Sequence, residues 1–231
     1  MNEIIIPDTN LLIDLSEAYS RRNRKTQYIE NAQSFWKMYS KQIEIPKIVW
    51  SEFLGVWFHK DIDFETYDSW FDKRYNCFAQ AFKFIKELGI GFYDEKSIDY
   101  NTVFSLSEKL TSNRMPRVLV DGLVKALSED IKQIELKLNT ASYKDNLERA
   151  LRRNQRYLNA GKMLDGMDSL LVAYSYVVAN NNADKAILVC SCDKSLVRTV
   201  NILNDSDVGQ IGDLTIPKNV KAQIISQREI Q

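Results

Sequence analysis

Two short apolar runs predict the central strands of a sheet, and a carboxylate follows each of them. The first occupies residues 4–6, reads Ile-Ile-Ile, and is followed within two residues by Asp8. The second occupies residues 186–190 and leads to Asp193. Continuous apolar runs of this length are typical of strands buried on both faces of a parallel sheet. We therefore expect both aspartates at the carboxyl edge of that sheet, where open α/β folds bind ligands. Asp8 is also a good helix N-cap, and that structural role stays open.

Elsewhere apolar residues recur at spacings of three and four, which predicts amphipathic helices. The predicted helices cover residues 11–20, 28–41, 51–58, 64–88 and 99–111. Short strands are predicted around residues 43–45 and 90–93. After Asp193, we expect residues 201–213 to return through Ile202-Leu203 and a polar loop. A last short strand at 214–217 and a terminal helix at 220–226 complete the prediction.

Residues 112–162 differ from the rest of the chain because they predict two long helices and carry excess positive charge. From Ser105 to Leu164 there are twelve Lys and Arg residues and seven Asp and Glu residues. The second helix carries a basic stripe, since three of its four arginines share one side. These arginines are Arg149, Arg152, Arg153 and Arg156. The stripe suits a polyanionic backbone, although a dimer contact or a solvated surface would have the same pattern.

Composition limits the class of protein. With 231 residues and 45% hydrophobic content, the chain can bury one core, so we expect a single domain over residues 1–231. Lys plus Arg equal Asp plus Glu, at 31 each, so net charge favours no partner. No apolar run has the length of a membrane span and the start lacks a leader pattern, which predicts a cytoplasmic protein. The three cysteines and one histidine favour neither a disulfide framework nor a zinc site or serine triad.

Acidic residues also open two predicted helices. Glu52 stands near the start of one, and Asp165 and Asp168 lie three residues apart at the start of another. The starts of helices and the ends of parallel strands share one edge of a sheet, so these acids can converge with Asp8 and Asp193. Convergent carboxylates repel one another unless a cation lies between them. Oxygen ligands of this kind suit Mg²⁺ or Mn²⁺. Stabilisation of the helix dipole is the alternative explanation for Asp165 and Asp168.

Four of these acids, in this order, resemble the motifs of the PIN-domain family of metal-dependent nucleases. Asp8-Thr9-Asn10 after an isoleucine strand is similar to the first motif, and Glu52 ahead of Phe53-Leu54 to the second acid. Asp168 opens an apolar helix, as the third acid does, and Ser191-Cys192-Asp193 resembles the fourth motif. The resemblance runs along most of the chain. The segment 112–162 departs from the family pattern as a basic helical insertion beside the catalytic edge.

The resemblance implies a three-layer α/β/α fold with a central, mostly parallel sheet, and hydrolysis of phosphodiester bonds. It implies that Asp8, Asp168 and Asp193 hold one or two Mg²⁺ or Mn²⁺ ions. It also implies that Glu52 positions the attacking water, or coordinates an ion through that water. Thr9, Asn10 and Ser191 are expected to orient the carboxylates, with capping and turn formation as their alternative role. Asp165 is an additional acid beside the site, and the resemblance does not fix its role.

The expected partner is RNA, cleaved by an endoribonuclease, with DNA as the second choice of nucleic acid. A toxin-type RNase silenced by a protein antitoxin, and a homodimer, are further expectations. The arginine stripe and a basic loop after the first helix are expected to contact nucleic acid; the loop contains Arg21, Arg22, Arg24 and Lys25. A structure-specific DNA nuclease and a non-catalytic RNA-binding or scaffold module of the same fold remain the alternatives.

Overall fold

A computed structural model describes most of the chain as a mixed α/β protein. It describes residues 3–20, 26–59, 67–92, 98–111, 117–140, 144–160, 164, 166–205, 210–211 and 214–225. The predicted α/β class with a mostly parallel sheet is confirmed over this part of the chain. The basic loop with Arg21, Arg22, Arg24 and Lys25 lies outside the described residues, as does Asp165.

The strands assemble around β1. They are β1 (Glu3–Pro7), β2 (Glu44–Ile45), β3 (Gly91–Phe92), β4 (Ala186–Ser191), β5 (Gln210–Ile211), β6 (Leu214–Thr215) and β7 (Val220–Ile224). In the main sheet the order is β1-β4-β7, and both pairings are parallel. The parallel pair β2-β3 meets the other side of β1 through a bridge between Ile5 and Ile43. The short pair β5-β6 is antiparallel.

Helices cover the strands. They are α1 (Thr9–Ser20), α2 (Thr26–Tyr39), α3 (Lys47–His59), α4 (Tyr67–Glu87), α5 (Tyr100–Thr111), α6 (Arg117–Leu138), α7 (Lys144–Ala160), α8 (Gly166–Asn181) and α9 (Lys194–Asp205). The predicted helices 11–20, 28–41, 51–58, 64–88 and 99–111 correspond to α1–α5 with shifted ends. None of the helices in the described part of the chain combines the length and apolar character needed to cross a bilayer.

The two predicted central strands form the core. Ile5 and Val189 are fully buried, and the register pairs Ile5 with Leu188. Helix α8 packs beside them against α5, α3 and β4, and residues 171–179 of this helix are buried without interruption. A helix that is apolar around its whole circumference has to be surrounded by protein. This burial holds α8 in place at the centre of the fold.

Two predictions near the carboxyl end are wrong. Residues 220–224 form strand β7, because buried Val220 and Ala222 alternate with exposed Lys221 and Gln223, a period of two that indicates a strand. Residues 201–205, predicted to belong to a segment that returns through Ile202-Leu203 and a polar loop, are part of α9. The buried residues Leu196, Val200 and Leu203 recur at helical spacing along that helix.

The predicted insertion 112–162 contains α6 and α7, which pack against each other. Helix α6 also packs against α9. At that contact Arg198 pairs with Asp130 and donates to the backbone oxygen of Ala126 at 3.2 Å. Because α9 begins directly after Asp193, these contacts hold the basic helices beside the edge where β1 and β4 end.

Candidate active site

Asp8 lies at the carboxyl end of β1, directly before α1. Its backbone N–H donates to the carbonyl oxygen of Cys190 at 2.8 Å, so the ladder between β1 and β4 fixes its position. Its side chain is only 4% exposed. A carboxylate is seldom buried to this degree unless it is paired or hydrogen-bonded. The environment of its two oxygens therefore decides its chemistry.

Three donors surround the Asp8 carboxylate. The backbone N–H of Thr9 donates to Oδ1 at 2.7 Å, which is a local capping contact. Asn10 Nδ2 donates to Oδ2 at 2.9 Å, and the hydroxyl of Ser191 donates to the same oxygen at 2.6 Å. Capping of α1 accounts for Oδ1. It does not account for Oδ2, whose partner Ser191 comes from the other central strand.

The pKa of Asp8 is raised above its ordinary value. Burial is the largest cause because it disfavours the ionised form, and the negative charge of Asp193 acts in the same direction. The hydrogen bonds from Ser191, Thr9 and Asn10 oppose this rise without cancelling it. Burial and the neighbouring Asp193 carboxylate therefore both disfavour ionisation of Asp8.

Asp193 follows β4 and caps α9. Its Oδ1 accepts the backbone N–H of Ser195 at 2.7 Å, and its own N–H donates to Ser191 Oγ at 2.8 Å. Its Oδ2 lies 3.2 Å from a guanidinium nitrogen of Arg153, which α7 supplies. Ser191 thus lies between the two aspartates and contacts both residues. The predicted meeting of Asp8 and Asp193 at one sheet edge is what the structure shows.

Glu52 reaches the site through Thr9. Thr9 is 3% exposed, and its hydroxyl donates to Glu52 Oε2 at 2.5 Å. Glu52 lies on α3, which begins two residues after β2 ends. Since β2 runs parallel to β1, the start of α3 belongs to the same edge as Asp8. Thr9 therefore links the first and second predicted acids.

Asp168 lies in the first turn of α8, and its side chain is half-buried. Helix α8 packs against β4, and a short turn joins the end of α8 to the start of β4. The helix therefore runs back along the strand, and its first turn lies towards the edge where β4 ends. The role of Asp168 as a ligand stays a prediction.

The arginine stripe of α7 is exposed, and its members have different surroundings. Arg153 pairs with Asp193, whereas Arg152 pairs with Glu148 on the same helix at 3.6 Å. Arg149 and Arg156 are exposed. The sequence predicts nucleic-acid contacts for Arg153 and gives no sign of its contact with Asp193. No sequence pattern relates these two residues, because packing of the insertion brings them together.

Within the described part of the chain, no group of three or more His, Cys, Asp or Glu side chains is arranged so that it could hold a metal ion. Asp8 and Asp193 both contact Ser191, and the charge of Asp193 acts on Asp8. Mg²⁺ commonly binds through one or two carboxylates and keeps several waters, so these two carboxylates fit such an ion. Cys190 does not contribute, because burial raises the pKa of its thiol to about 12.

Comparisons with models of known protein families, with curated proteins and with solved structures find no significant match.

Proposed function

We propose that this protein is a Mg²⁺- or Mn²⁺-dependent nuclease with a three-layer, PIN-like α/β/α fold, and that it cleaves RNA internally. The observation that carries the proposal is the buried Asp8 beside Asp193, with its pKa raised by burial and by that second carboxylate. Such an arrangement is unfavourable in the isolated protein and becomes favourable when a cation binds. The end of a central parallel strand is also where α/β enzymes place their ligands.

Asp8 and Asp193 would hold the ion, with Asp168 as the proposed third ligand. Ser191, Asn10 and the Thr9 N–H orient the Asp8 carboxylate, since their hydrogen bonds fix both of its oxygens. When bound, the divalent ion supplies activation of water and neutralisation of charge on the phosphate oxygens. Glu52, held by the Thr9 hydroxyl, would accept a proton from the attacking water or orient it.

A nucleic-acid strand is the proposed substrate because the exposed arginines of α7 lie beside this edge, and the resemblance to the PIN-domain family makes RNA the expected nucleic acid. Arg149, Arg152 and Arg156 are exposed on the helix that brings Arg153 to Asp193. Cations along a helix contact phosphates without reading sequence, so they would hold the strand across the site. A DNA strand presents the same phosphates, and a direct comparison of substrates decides between them.

The test uses the purified chain with end-labelled single-stranded RNA, structured RNA and single-stranded DNA. Each substrate is incubated with Mn²⁺, Mg²⁺ or EDTA. We expect RNA cleavage that requires the divalent ion and that falls at least about 100-fold in Asp8→Asn, because a metal ligand is removed. Asp184→Asn is the matched control, since Asp184 is exposed in the turn before β4 begins. Cleavage of DNA alone would contradict the RNA assignment.

The ion pair between Arg153 and Asp193 favours a second candidate function. If Arg153 permanently neutralises Asp193, the chain would bind RNA without cleaving it. In that case wild type and Asp8→Asn would bind RNA equally, and neither would cleave it at any Mn²⁺ concentration. Loss of cleavage in Asp8→Asn with RNA binding retained would support the nuclease.

A further inference from the structure

A cavity lies between the basic helices and the site edge. Its volume is about 370 Å³, and its walls come from α6, α7 and the start of α9. It opens directly beside the proposed catalytic carboxylates, because Asn10 and Asp193 form part of its lining. Pockets of about 300 Å³ and above are large enough to bind small organic molecules. Because Asn10 and Asp193 line this cavity, it lies where a group next to the scissile phosphate would reach.

Asn154 is the unexplained residue of this cavity. It lines the space, its side chain is 5% exposed, and its Oδ1 has no hydrogen-bond partner. A buried acceptor left without a partner destabilises a protein, because it has lost its hydrogen bonds to water. The apolar side chains of Ile134 and Leu147 line the same space. An acceptor held at this energetic disadvantage between apolar groups is well suited to a ligand that brings a donor.

The charges of the lining favour an anionic ligand. Lys137, Arg153 and Lys194 lie in the lining, together with the acids Asp130 and Asp193. Asp130 is already paired with Arg198, and Arg153 compensates Asp193. The lysines therefore leave the cavity with an excess of positive charge. A phosphate at the mouth and an uncharged, flat group inside would match this distribution.

We propose that this cavity binds one nucleobase of the RNA strand, with Asn154 Oδ1 accepting a hydrogen bond from an N–H group of the base. This inference rests on the proposed nuclease function and deepens it, because it makes Asn154 a specificity-determining residue. The base lies between Ile134 and Leu147, and its phosphate lies near Lys137 and Lys194. Every nucleobase has an apolar face, but the pattern of N–H groups on its edge differs from base to base. A buried acceptor therefore discriminates between bases.

The test measures binding and does not depend on cleavage. The four nucleoside 5′-monophosphates and ribose 5-phosphate are titrated into the full chain in EDTA, and binding is followed by NMR chemical shifts. We expect at least one nucleotide to bind about tenfold more tightly than ribose 5-phosphate, which corresponds to about 1.4 kcal/mol. Asn154→Leu should remove that advantage and leave the affinity for ribose 5-phosphate unchanged. Equal affinities for all five compounds in the wild type would overturn the inference.

Control variants separate recognition from structure. Gln155→Leu changes the exposed neighbour of Asn154 and should leave binding unchanged. Asn154→Leu removes an unpartnered acceptor, so its melting temperature should equal or exceed that of the wild type. Asn154→Asp keeps the acceptor and should keep the base preference, although its added charge weakens all phosphate ligands. A lower melting temperature for Asn154→Leu, with base preference lost in Asn154→Asp as well, would assign Asn154 a structural role and overturn the inference.

The inference and the proposed function fail separately. Base-dependent binding in EDTA without any cleavage in Mn²⁺ supports the cavity and contradicts the nuclease. Cleavage with no preference for the base at the cut site supports the nuclease and contradicts the cavity. If both hold, mapping of cut sites in a random-sequence RNA should show a base preference in the wild type that Asn154→Leu lacks.

Discussion

Ser191 Oγ donates to Asp8 Oδ2 at 2.6 Å, across a separation of 183 residues in the chain. Ser191 Oγ also accepts a hydrogen bond from the backbone N–H of Asp193 at 2.8 Å. One hydroxyl therefore stabilises the ionised form of Asp8 and fixes the backbone that carries Asp193. This arrangement compensates part of the unfavourable burial of Asp8.

Ser191→Ala should destabilise the protein and raise the pKa of Asp8 further. It removes a donor from a buried carboxylate and leaves the Asp193 N–H without its acceptor, so we expect a loss of about 1–3 kcal/mol. Urea unfolding at neutral pH and NMR titration of the Asp8 carboxyl measure the two effects. Ser175→Ala is the matched control, because Ser175 is buried and donates to a helix carbonyl. An unchanged Asp8 pKa in Ser191→Ala would show that the hydrogen bond has no role in its ionisation.

Asp8→Asn should stabilise the metal-free protein at neutral pH. Because burial raises the pKa of Asp8 in the folded protein above the unfolded value of 3.8, its contribution to stability is present below 3.8 and is lost as the pH rises through the folded pKa. The asparagine does not ionise, so its advantage in free energy of unfolding should be largest at neutral pH and disappear in acid.

Thermal unfolding of wild type and Asp8→Asn between about pH 3 and pH 8 measures this difference. Added Mn²⁺ should then raise the melting temperature of the wild type and have little effect on Asp8→Asn. An Asp8→Asn protein that is less stable than the wild type at neutral pH would mean that hydrogen bonding outweighs the cost of burying the charge.

Arg153→Gln should strengthen binding of Mn²⁺. The guanidinium lies 3.2 Å from Asp193 Oδ2, so an ion bound by that oxygen must compete with it. Arg153 is 51% exposed, and exposed ion pairs contribute about 0–1 kcal/mol, so the expected gain in affinity is about two- to fivefold. Calorimetric titration with Mn²⁺ measures it. Arg152→Gln, which alters a pair with Glu148 on the surface of α7, should leave the affinity unchanged.

Asn201→Ala should destabilise the edge of the main sheet. The Asn201 amide donates to the backbone oxygen of Ala222 at 3.1 Å and accepts its N–H at 3.0 Å, so it joins α9 to β7. Loss of both hydrogen bonds should lower the free energy of unfolding by about 1–3 kcal/mol. Asn76→Ala, at an exposed position of α4, should cause no such loss in the same urea titration.

The two errors near the carboxyl end have separate physical origins. The alternation from Val220 to Gln223 spans only a few residues, which is too short for a helical and an extended period to be distinguished from sequence alone. Pairing with β4 decided the outcome, since the parallel ladder joins Val189 to Ala222. At residues 201–205 the polar side chains between the buried residues hid the helical spacing of Leu196, Val200 and Leu203 in α9.

The sequence by itself determined the two central strands and the aspartates that follow them, because short continuous apolar runs followed by acids have few other structural explanations. It also determined the basic charge of residues 112–162 and the presence of the two helices α6 and α7 within them. Only the tertiary structure decided that Ser191 would join Asp8 to Asp193, that Arg153 would pair with Asp193, and that Asn154 would be buried beside them. These contacts depend on how α7 and α9 pack at the sheet edge, and distances of this kind are set by side-chain packing between segments far apart in the chain.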